Sequence, residues 1–389
     1  MVRRIALLLM LLAMQCTTVE TPAVLAAESF EVSLERLRSA SSGPASQTRI
    51  KEAWDVVVSG GVGRLIAVLK AMRPEATGEL SPLAENWLRA SADAIAEREL
   101  RSSGKLPAAA LEQFLLDSTQ APRARRTAFE WLIQVEPSAS DRLLPTMLDD
   151  PSLEIRHDAV ANLIAEAELA DVDDVKLRKF QRAFQSARSL DQMKQCLQQL
   201  QQLGESPDLA EEFGYVTTWQ AIGPFDNTAG AGFDKIFPPE TEIDFTKQYE
   251  GKHGPVKWFD LSTQDQDQNI ERVGVVDLNE VLVEEKGVVA YLVAQFFSKK
   301  EQELECRYGT VNASKLWVNG ELLVSKNVYH MGGEFDQYIG SARFQKGKNT
   351  ILLKMCQNEQ TESWAQAWDF RLRVTDNLGG GIVQVPDSE

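Results

Sequence analysis

Between Gly204 and Gly214 the recurrence of apolar side chains changes period, and this change constrains the fold more than any other feature of the chain. Ahead of it, apolar residues return every third or fourth position; after it, every second. The first period describes one face of a helix and the second one face of a strand. The turn-forming run Gly204-Glu205-Ser206-Pro207 and a short helical stretch from Asp208 to Phe213 separate the two regimes. The chain therefore reads as multidomain, α then β. The expected parts are a leader over 1–26, helical repeats over 27–204, a linker over 205–214, an antiparallel β-sandwich over 215–378 and a flexible tail over 379–389, which holds the triplet Gly379-Gly380-Gly381.

In the first regime, Leu83, Trp87, Ala94 and Ile95 mark one helix, opened by Ser81 as N-cap with Pro82 in the first turn. Leu177, Phe180, Phe184 and Ala187 form a stripe on another. Leu190, Met193, Leu197 and Leu200 form a third, which Ser189 and Gln192 open at capping-box spacing. Two stretches repeat at an offset close to thirty residues. Leu115-Leu116-Asp117 precedes Arg125 and Ala128, and Met147-Leu148-Asp149-Asp150-Pro151 precedes Arg156, Ala159 and Val160. Asp150 is expected to cap the second helix of its hairpin, with Pro151 in the first turn and Arg156 reaching back to the acidic turn. The Leu-Asp-Asp-Pro, Arg, Ala-Val pattern resembles HEAT repeats. That resemblance implies a curved α-solenoid used as a protein-binding scaffold.

In the second regime, strands are expected over Tyr215–Ile222, Val256–Asp260, Val288–Phe297, Glu303–Tyr308, Lys315–Val318, Glu321–Val324, Asn349–Met355 and Ala367–Val374. Asn319-Gly320 joins two of them with the residue pair that a type I′ hairpin turn favours. Short strands separated by polar turns describe a sandwich. Leu316-Trp317-Val318-Asn319-Gly320, with Gly347-Lys348-Asn349 and Leu352-Leu353, resembles the galactose-binding-like jelly roll. Upstream, Trp219-Gln220-Ala221-Ile222-Gly223-Pro224-Phe225-Asp226-Asn227 with Phe237-Pro238-Pro239-Glu240 resembles a region that precedes such sandwiches in exported proteins of planctomycete-type bacteria. The resemblance implies a HEAT-like solenoid followed by a jelly-roll sandwich, and no particular activity.

The N-terminus reads as a secretory signal: Arg3 and Arg4, a short apolar run from Ile5 to Met14, and small residues for cleavage near Ala26 or Ala27. An exported protein of a Gram-negative-type bacterium, periplasmic or extracellular, is expected. No later stretch is long and apolar enough for a membrane helix. The formal net charge of −16 disfavours nucleic-acid phosphate as a partner. Once Cys16 leaves with the signal, Cys196, Cys306 and Cys356 remain. Strand alternation groups Cys306 with Leu304 and Tyr308, and sets Cys356 with Lys354 against Ile351, Leu353 and Met355. That parity argues against a Cys306–Cys356 bridge.

The three histidines, His157, His253 and His330, form no metal pair, and no nucleophile elbow or phosphate loop is present. A non-catalytic scaffold is therefore the first expectation, with a protein partner on the solenoid. Carbohydrate binding by the sandwich is the second, and a polymer hydrolase the third. For a sugar, Trp258, Tyr329, Trp364 and Trp368 are candidate stacking rings. Asp226, Asn227, Asp234, Glu334 and Asp336 are candidate polar partners. Loop oxygens of this kind also suit a structural calcium ion, although no spaced ligand loop occurs and no other cofactor is implied. Trp219 and Trp317, inside strands, are read as core.

Overall fold

The computed structural model describes residues 29–41, 43–74, 80–263 and 269–385. The expected leader, with Cys16, lies outside them. Helices occupy the chain from residue 30 to 213 and antiparallel sheets follow from 218 to 375, so the change of period is a change of structure. The compact units divide elsewhere, after Val135. Among the described residues no helix is long and apolar enough to cross a membrane.

The first unit holds α1 (Phe30–Arg38), α2 (Pro44–Ser59), α3 (Leu65–Ala71), α4 (Pro82–Ser103), α5 (Ala108–Leu116) and α6 (Pro122–Val135). Ser81 caps α4 as expected, its hydroxyl accepting from Ala84 N at 3.1 Å. Between α5 and α6 the chain turns on Asp117. Its Oδ1 accepts from Thr119 N (3.0 Å) and Thr119 Oγ1 (2.7 Å), and its Oδ2 from Gln120 Nε2 (2.8 Å). Arg125, buried on α6, donates from Nε to Leu115 O at 2.7 Å.

The second unit starts with α7 (Ala139–Leu143), α8 (Leu153–Glu168), α9 (Asp173–Ser186), α10 (Leu190–Gln202) and α11 (Leu209–Phe213). Arg156 repeats the role of Arg125: it is buried and donates from Nε to Asp150 O at 2.9 Å. The repeated arginine therefore satisfies a main-chain carbonyl of the preceding turn. The cap of α8 differs from expectation. Ser152 is the N-cap, and Asp150 stands two residues earlier, accepting from Ser152 N at 2.8 Å. Pro151 thus precedes the cap. Ser189 caps α10 as expected.

Phe180, Phe184, Met193, Leu197, Phe213, Tyr215 and Val273 share one apolar cluster, which joins these helices to the sandwich. The sandwich has a six-stranded sheet in the order β4-β1-β6-β11-β8-β9 and a four-stranded sheet in the order β10-β7-β12-β5. Its strands are β1 (Thr218–Asp226), β4 (Phe259–Ser262), β5 (Val276–Asp277), β6 (Val288–Ser298), β7 (Gln302–Gly309), β8 (Ala313–Val318), β9 (Glu321–Lys326), β10 (Tyr338–Phe344), β11 (Gly347–Gln357) and β12 (Asp369–Thr375), with a separate hairpin of β2 (Gln248–Gly251) and β3 (Gly254–Lys257). Every pairing is antiparallel. The Asn319-Gly320 turn has positive φ at both centres (50° and 85°), as a type I′ turn requires.

Trp219, Leu292, Leu304, Tyr308, Leu316, Ile351, Leu353, Phe370 and Leu372 fill the space between the sheets. The outer face of the six-stranded sheet carries a second apolar cluster. There Ile222, Val289, Tyr291, Leu352 and Cys356 lie under Phe233, Phe237, Phe245 and Trp258 from the 227–258 segment. Trp317 packs half-buried on that outer face rather than in the central core. Cys306 belongs to the inner core and Cys356 to the outer cluster, and both are free thiols. Val256–Asp260 is two strands broken at Trp258, and β1 runs on past Gly223-Pro224 with a register shift between Ile222 and Phe225.

The expected flexible tail is tied down through Val385. Asp376 Oδ1 accepts from Leu378 N and Gly380 N at 2.8 Å each, Ile382 N donates to Val374 O at 2.9 Å, and Val385 N donates to Phe297 O at 3.0 Å. The glycine triplet exists for close approach. A Cβ on Gly381 would stand 2.5 Å from Glu212 O.

Candidate functional site

β1, β6 and β11 bring their Asp226, Val288 and Gln357 ends together in register, so the loops leaving these strands meet at one end of the sandwich. Four of the nine ligand candidates meet there: Asp226, Asn227, Tyr329 and Trp364. Asn227 is fully buried. Its Nδ2 donates to Gln357 O (2.9 Å) and to the Tyr329 hydroxyl (3.2 Å), and its main-chain N donates to Gly287 O (2.9 Å). It holds the loops together from within. Tyr329 is half-buried, and burial pushes its hydroxyl up to about 12. His330 follows with φ of 57°; its Nε2 pairs with Asn358 Oδ1 at 2.9 Å.

The His330 ring stands edge-on to Trp364, with centroids 5.1 Å apart. Trp364 sits on a 3₁₀ turn over Ser363–Ala365 and is 61% exposed. The turn itself is braced. Ala365 is buried and its carbonyl accepts from Lys286 Nζ at 2.6 Å, while Gln366 Nε2 donates to Thr361 O and Glu362 O at 2.8 Å each. Asp226 is exposed, and its Oδ1 accepts from Thr228 Oγ1 (2.6 Å) and Thr228 N (3.1 Å), bonds that hold its carboxyl below the usual carboxylate range. Glu359 accepts from Ala229 N at 2.9 Å.

The other five candidates lie elsewhere. Trp368 is 0% exposed in the inner core, so neither ring face is open to a ligand. Asp336 is an ion-pair centre: Arg373 approaches it through Nε at 2.7 Å and Nη2 at 2.6 Å, and Arg307 through Nη1 at 3.0 Å. Trp258 is half-buried, edge-on to Phe245 with centroids 5.3 Å apart. Asp234 and Glu334 are exposed on loops. Among the described residues no group of three or more His, Cys, Asp or Glu side chains converges as a metal would require. His253 pairs with Glu285 at 2.6 Å, and His157 lies exposed beside Asp158.

A concavity elsewhere on the sandwich was not anticipated from the sequence. On the outer face of the six-stranded sheet, at the end of β1 and β6 remote from Asp226, a groove of about 600 Å³ opens. Gln220 of β1, Asp260 of β4, Val293, Gln295 and Phe297 of β6, and Phe245 are among the residues that line it. Gln220 Nε2 donates to Asp260 Oδ1 at 2.9 Å. One sequence signal pointed there: Gln295 interrupts the otherwise apolar run from Val288 to Phe297. Trp258, taken as a sugar-stacking ring, stands behind Phe245 as its support.

No family model and no curated protein sequence matches this chain. Similar solved structures include a β-glucosidase from Kluyveromyces marxianus in complex with glucose, with 11% identity, a TM-score of 0.26 and coverage of 48% of this chain and 21% of that one. A family 35 carbohydrate binding module from Clostridium thermocellum has 14% identity and a TM-score of 0.17, over 26% of this chain and 98% of the module. An anti-sigma factor domain-containing protein has 12% identity and a TM-score of 0.23, over 44% and 78% of the respective chains. The chain thus spans about a fifth of the length of that β-glucosidase. With every one of these TM-scores below 0.5, no statement about activity rests on them.

Proposed function

We propose that the chain is a non-catalytic exported binding protein whose sandwich takes a carbohydrate at the loop end marked by Trp364. The observation that carries this reading is an indole 61% exposed on a turn braced by buried Ala365, by Lys286 on its carbonyl and by Gln366. An indole left in water to this extent forgoes roughly 2–4 kcal/mol of burial, from ~150–250 Å² of surface at about 25 cal/mol per Å². A rigid turn that keeps such a ring outside is preorganised to stack on the apolar face of a sugar. His330, edge-on to the ring, pairs with Asn358 Oδ1, and Asn358 Nδ2 donates to Gln360 Oε1 at 2.7 Å. Asp226 and Glu359 are engaged with main-chain amides, which favours binding over the paired-carboxylate chemistry of a hydrolase.

The test is a glycan array followed by titration calorimetry with the full chain. Trp364→Ala is expected to weaken the best ligand at least about tenfold, the order expected for losing a stacked ring, with an unchanged melting temperature. An array that retains no saccharide, or equal binding by the variant, ends the reading. Export is checked by sequencing the N-terminus of protein recovered from the cell envelope; a start near Ala27 is expected.

A protein-binding scaffold role for the helices is the second reading. Leu169, 83% exposed, and Val172, exposed as well, lie together in the connection from α8 to α9 and favour it. Affinity capture from the native envelope that recovers this chain alone counts against it.

A further inference from the structure

We propose that the groove on the outer face of the six-stranded sheet is a second binding site, separate from the loop end, and that its ligand is a neutral oligosaccharide. The two places share strands. From Val288, at the loop end, to Gln295 in the groove, β6 advances seven residues, roughly 23 Å. A single short ligand cannot occupy both.

The volume, about 600 Å³, lies within the range of small-ligand sites and accommodates roughly two or three sugar rings. The polar lining decides the class. The hydrogen bond from Gln220 Nε2 to Asp260 Oδ1 ties the two side chains together, and Gln220 Oε1 and Asp260 Oδ2 remain as acceptors on two residues of the lining. A ligand must bring donors to meet them, and sugar hydroxyls do so. Gln295, exposed on the adjoining strand, supplies both a donor and an acceptor. Phe245 and Phe297 offer ring surface for the apolar face of a pyranose. Among the described residues no lysine, arginine or histidine lines the groove, and the one charged group that does is a carboxylate. Uronates, sulfated sugars and phosphates would meet Asp260 with nothing to neutralise them. A peptide is the less suitable occupant, because the main-chain groups of β1 and β6 beneath the groove are already paired within the sheet.

The experiment uses the full chain, titrated with neutral glucan, mannan and xylan tri- to hexasaccharides and with oligogalacturonates of equal length. Binding of at least one neutral oligomer is expected, with oligogalacturonate at least about tenfold weaker. Gln295→Ala and Gln220→Ala should each weaken the neutral ligand about fivefold or more, the loss of one or two hydrogen bonds. Trp364→Ala should leave this binding unchanged, which separates the groove from the loop end. Gln295→Lys places a cation in the groove and should raise oligogalacturonate affinity. Binding that tracks Trp364 but neither glutamine, equal affinity for uronates, or no neutral oligomer bound at millimolar concentration each overturns the proposal.

Discussion

Replacing Lys354 by methionine removes the one ammonium group buried beneath the outer cover of the six-stranded sheet. Alternation along β11 turns this side chain away from Leu353 and Met355 and onto the outer face, where it is 0% exposed. Its Nζ donates to Phe233 O (3.0 Å), Lys235 O (2.8 Å) and Glu240 Oε1 (2.8 Å), which uses all three of its donors. Glu240 also accepts from the Tyr291 hydroxyl, and the Phe237 and Tyr291 rings lie 5.4 and 5.6 Å from Nζ. Burial pushes the ammonium below its usual range, and Glu240 pushes it back. Methionine fills most of the volume but leaves the Glu240 carboxylate without its cation and two carbonyls without a donor. Breaking a buried pair from one side costs about 3–5 kcal/mol, whereas replacing both partners is often near neutral. Lys354→Met should therefore lower the unfolding free energy of the second unit by about that amount, and Lys354→Met with Glu240→Leu should recover the share due to the unpaired carboxylate. Urea titration followed by tryptophan fluorescence and calorimetry reads both. The first unit, which contributes none of these partners, serves as the internal reference. A single variant costing less than about 1 kcal/mol, or a double variant no more stable than the single, would show that the pair does not hold the 233–240 segment down.

Three further outcomes are expected. Gly381→Ala should destabilise the second unit by about 1–3 kcal/mol in the same urea titration, because its Cβ meets main-chain atoms of Glu212, Phe213 and Gly214 that cannot yield; an unchanged midpoint refutes the close packing. A chain produced from Ala27 onward should show no thiol reactive to alkylation at pH 8 and three after denaturation, with or without reductant. Burial pushes Cys196, Cys306 and Cys356 each up to about 12. The carboxyl of Asp117 is lowered to about 2 by its bonds from Gln120 and Thr119. Its folded value lies below the unfolded one, so its stabilising contribution is complete above about pH 4 and is lost as pH falls towards 2. Asp117→Asn should therefore flatten the fall in stability of the first unit across that window, measured by acid-dependent melting.

Much of the architecture was legible because it depends on local rules. The change of period, the Ser81 and Ser189 caps, the Asn319-Gly320 turn and the opposite faces of Cys306 and Cys356 all follow from spacing along one segment. Trp368 was readable by the same rule: it shares parity with Phe370, Leu372 and Val374, and all four face the inner core. Trp364, four residues earlier, lies off the strand, where no periodicity governs its exposure. β10 was missed because it is an edge strand of the four-stranded sheet, and its alternation of small and polar residues, Gly340, Ser341, Ala342 and Arg343, resembles a turn. The groove was missed because Gln220, Asp260 and Gln295 come from three strands whose adjacency is a property of the sheet.

Asp336 marks where such reading ends. As a loop carboxylate near Tyr329 it resembled a ligand group, yet its role is dictated by a strand pairing far from it in sequence. β7 and β12 pair so that Arg307 stands directly opposite Arg373. Two like charges at such a position repel, and Arg373 is almost wholly buried, so the pair is unfavourable without an anion beside it. Asp336 supplies that anion to both guanidinium groups, and Glu305 supplies a second to Arg307 at 2.6 Å. Neither arginine signals this need in its own segment; only the register of the two strands creates it. The same loop that carries Tyr329 and His330 to the sandwich end is thus anchored, through Asp336, to the four-stranded sheet. That anchoring ties the loop bearing His330, the edge-on neighbour of Trp364, to the packed strands β7 and β12.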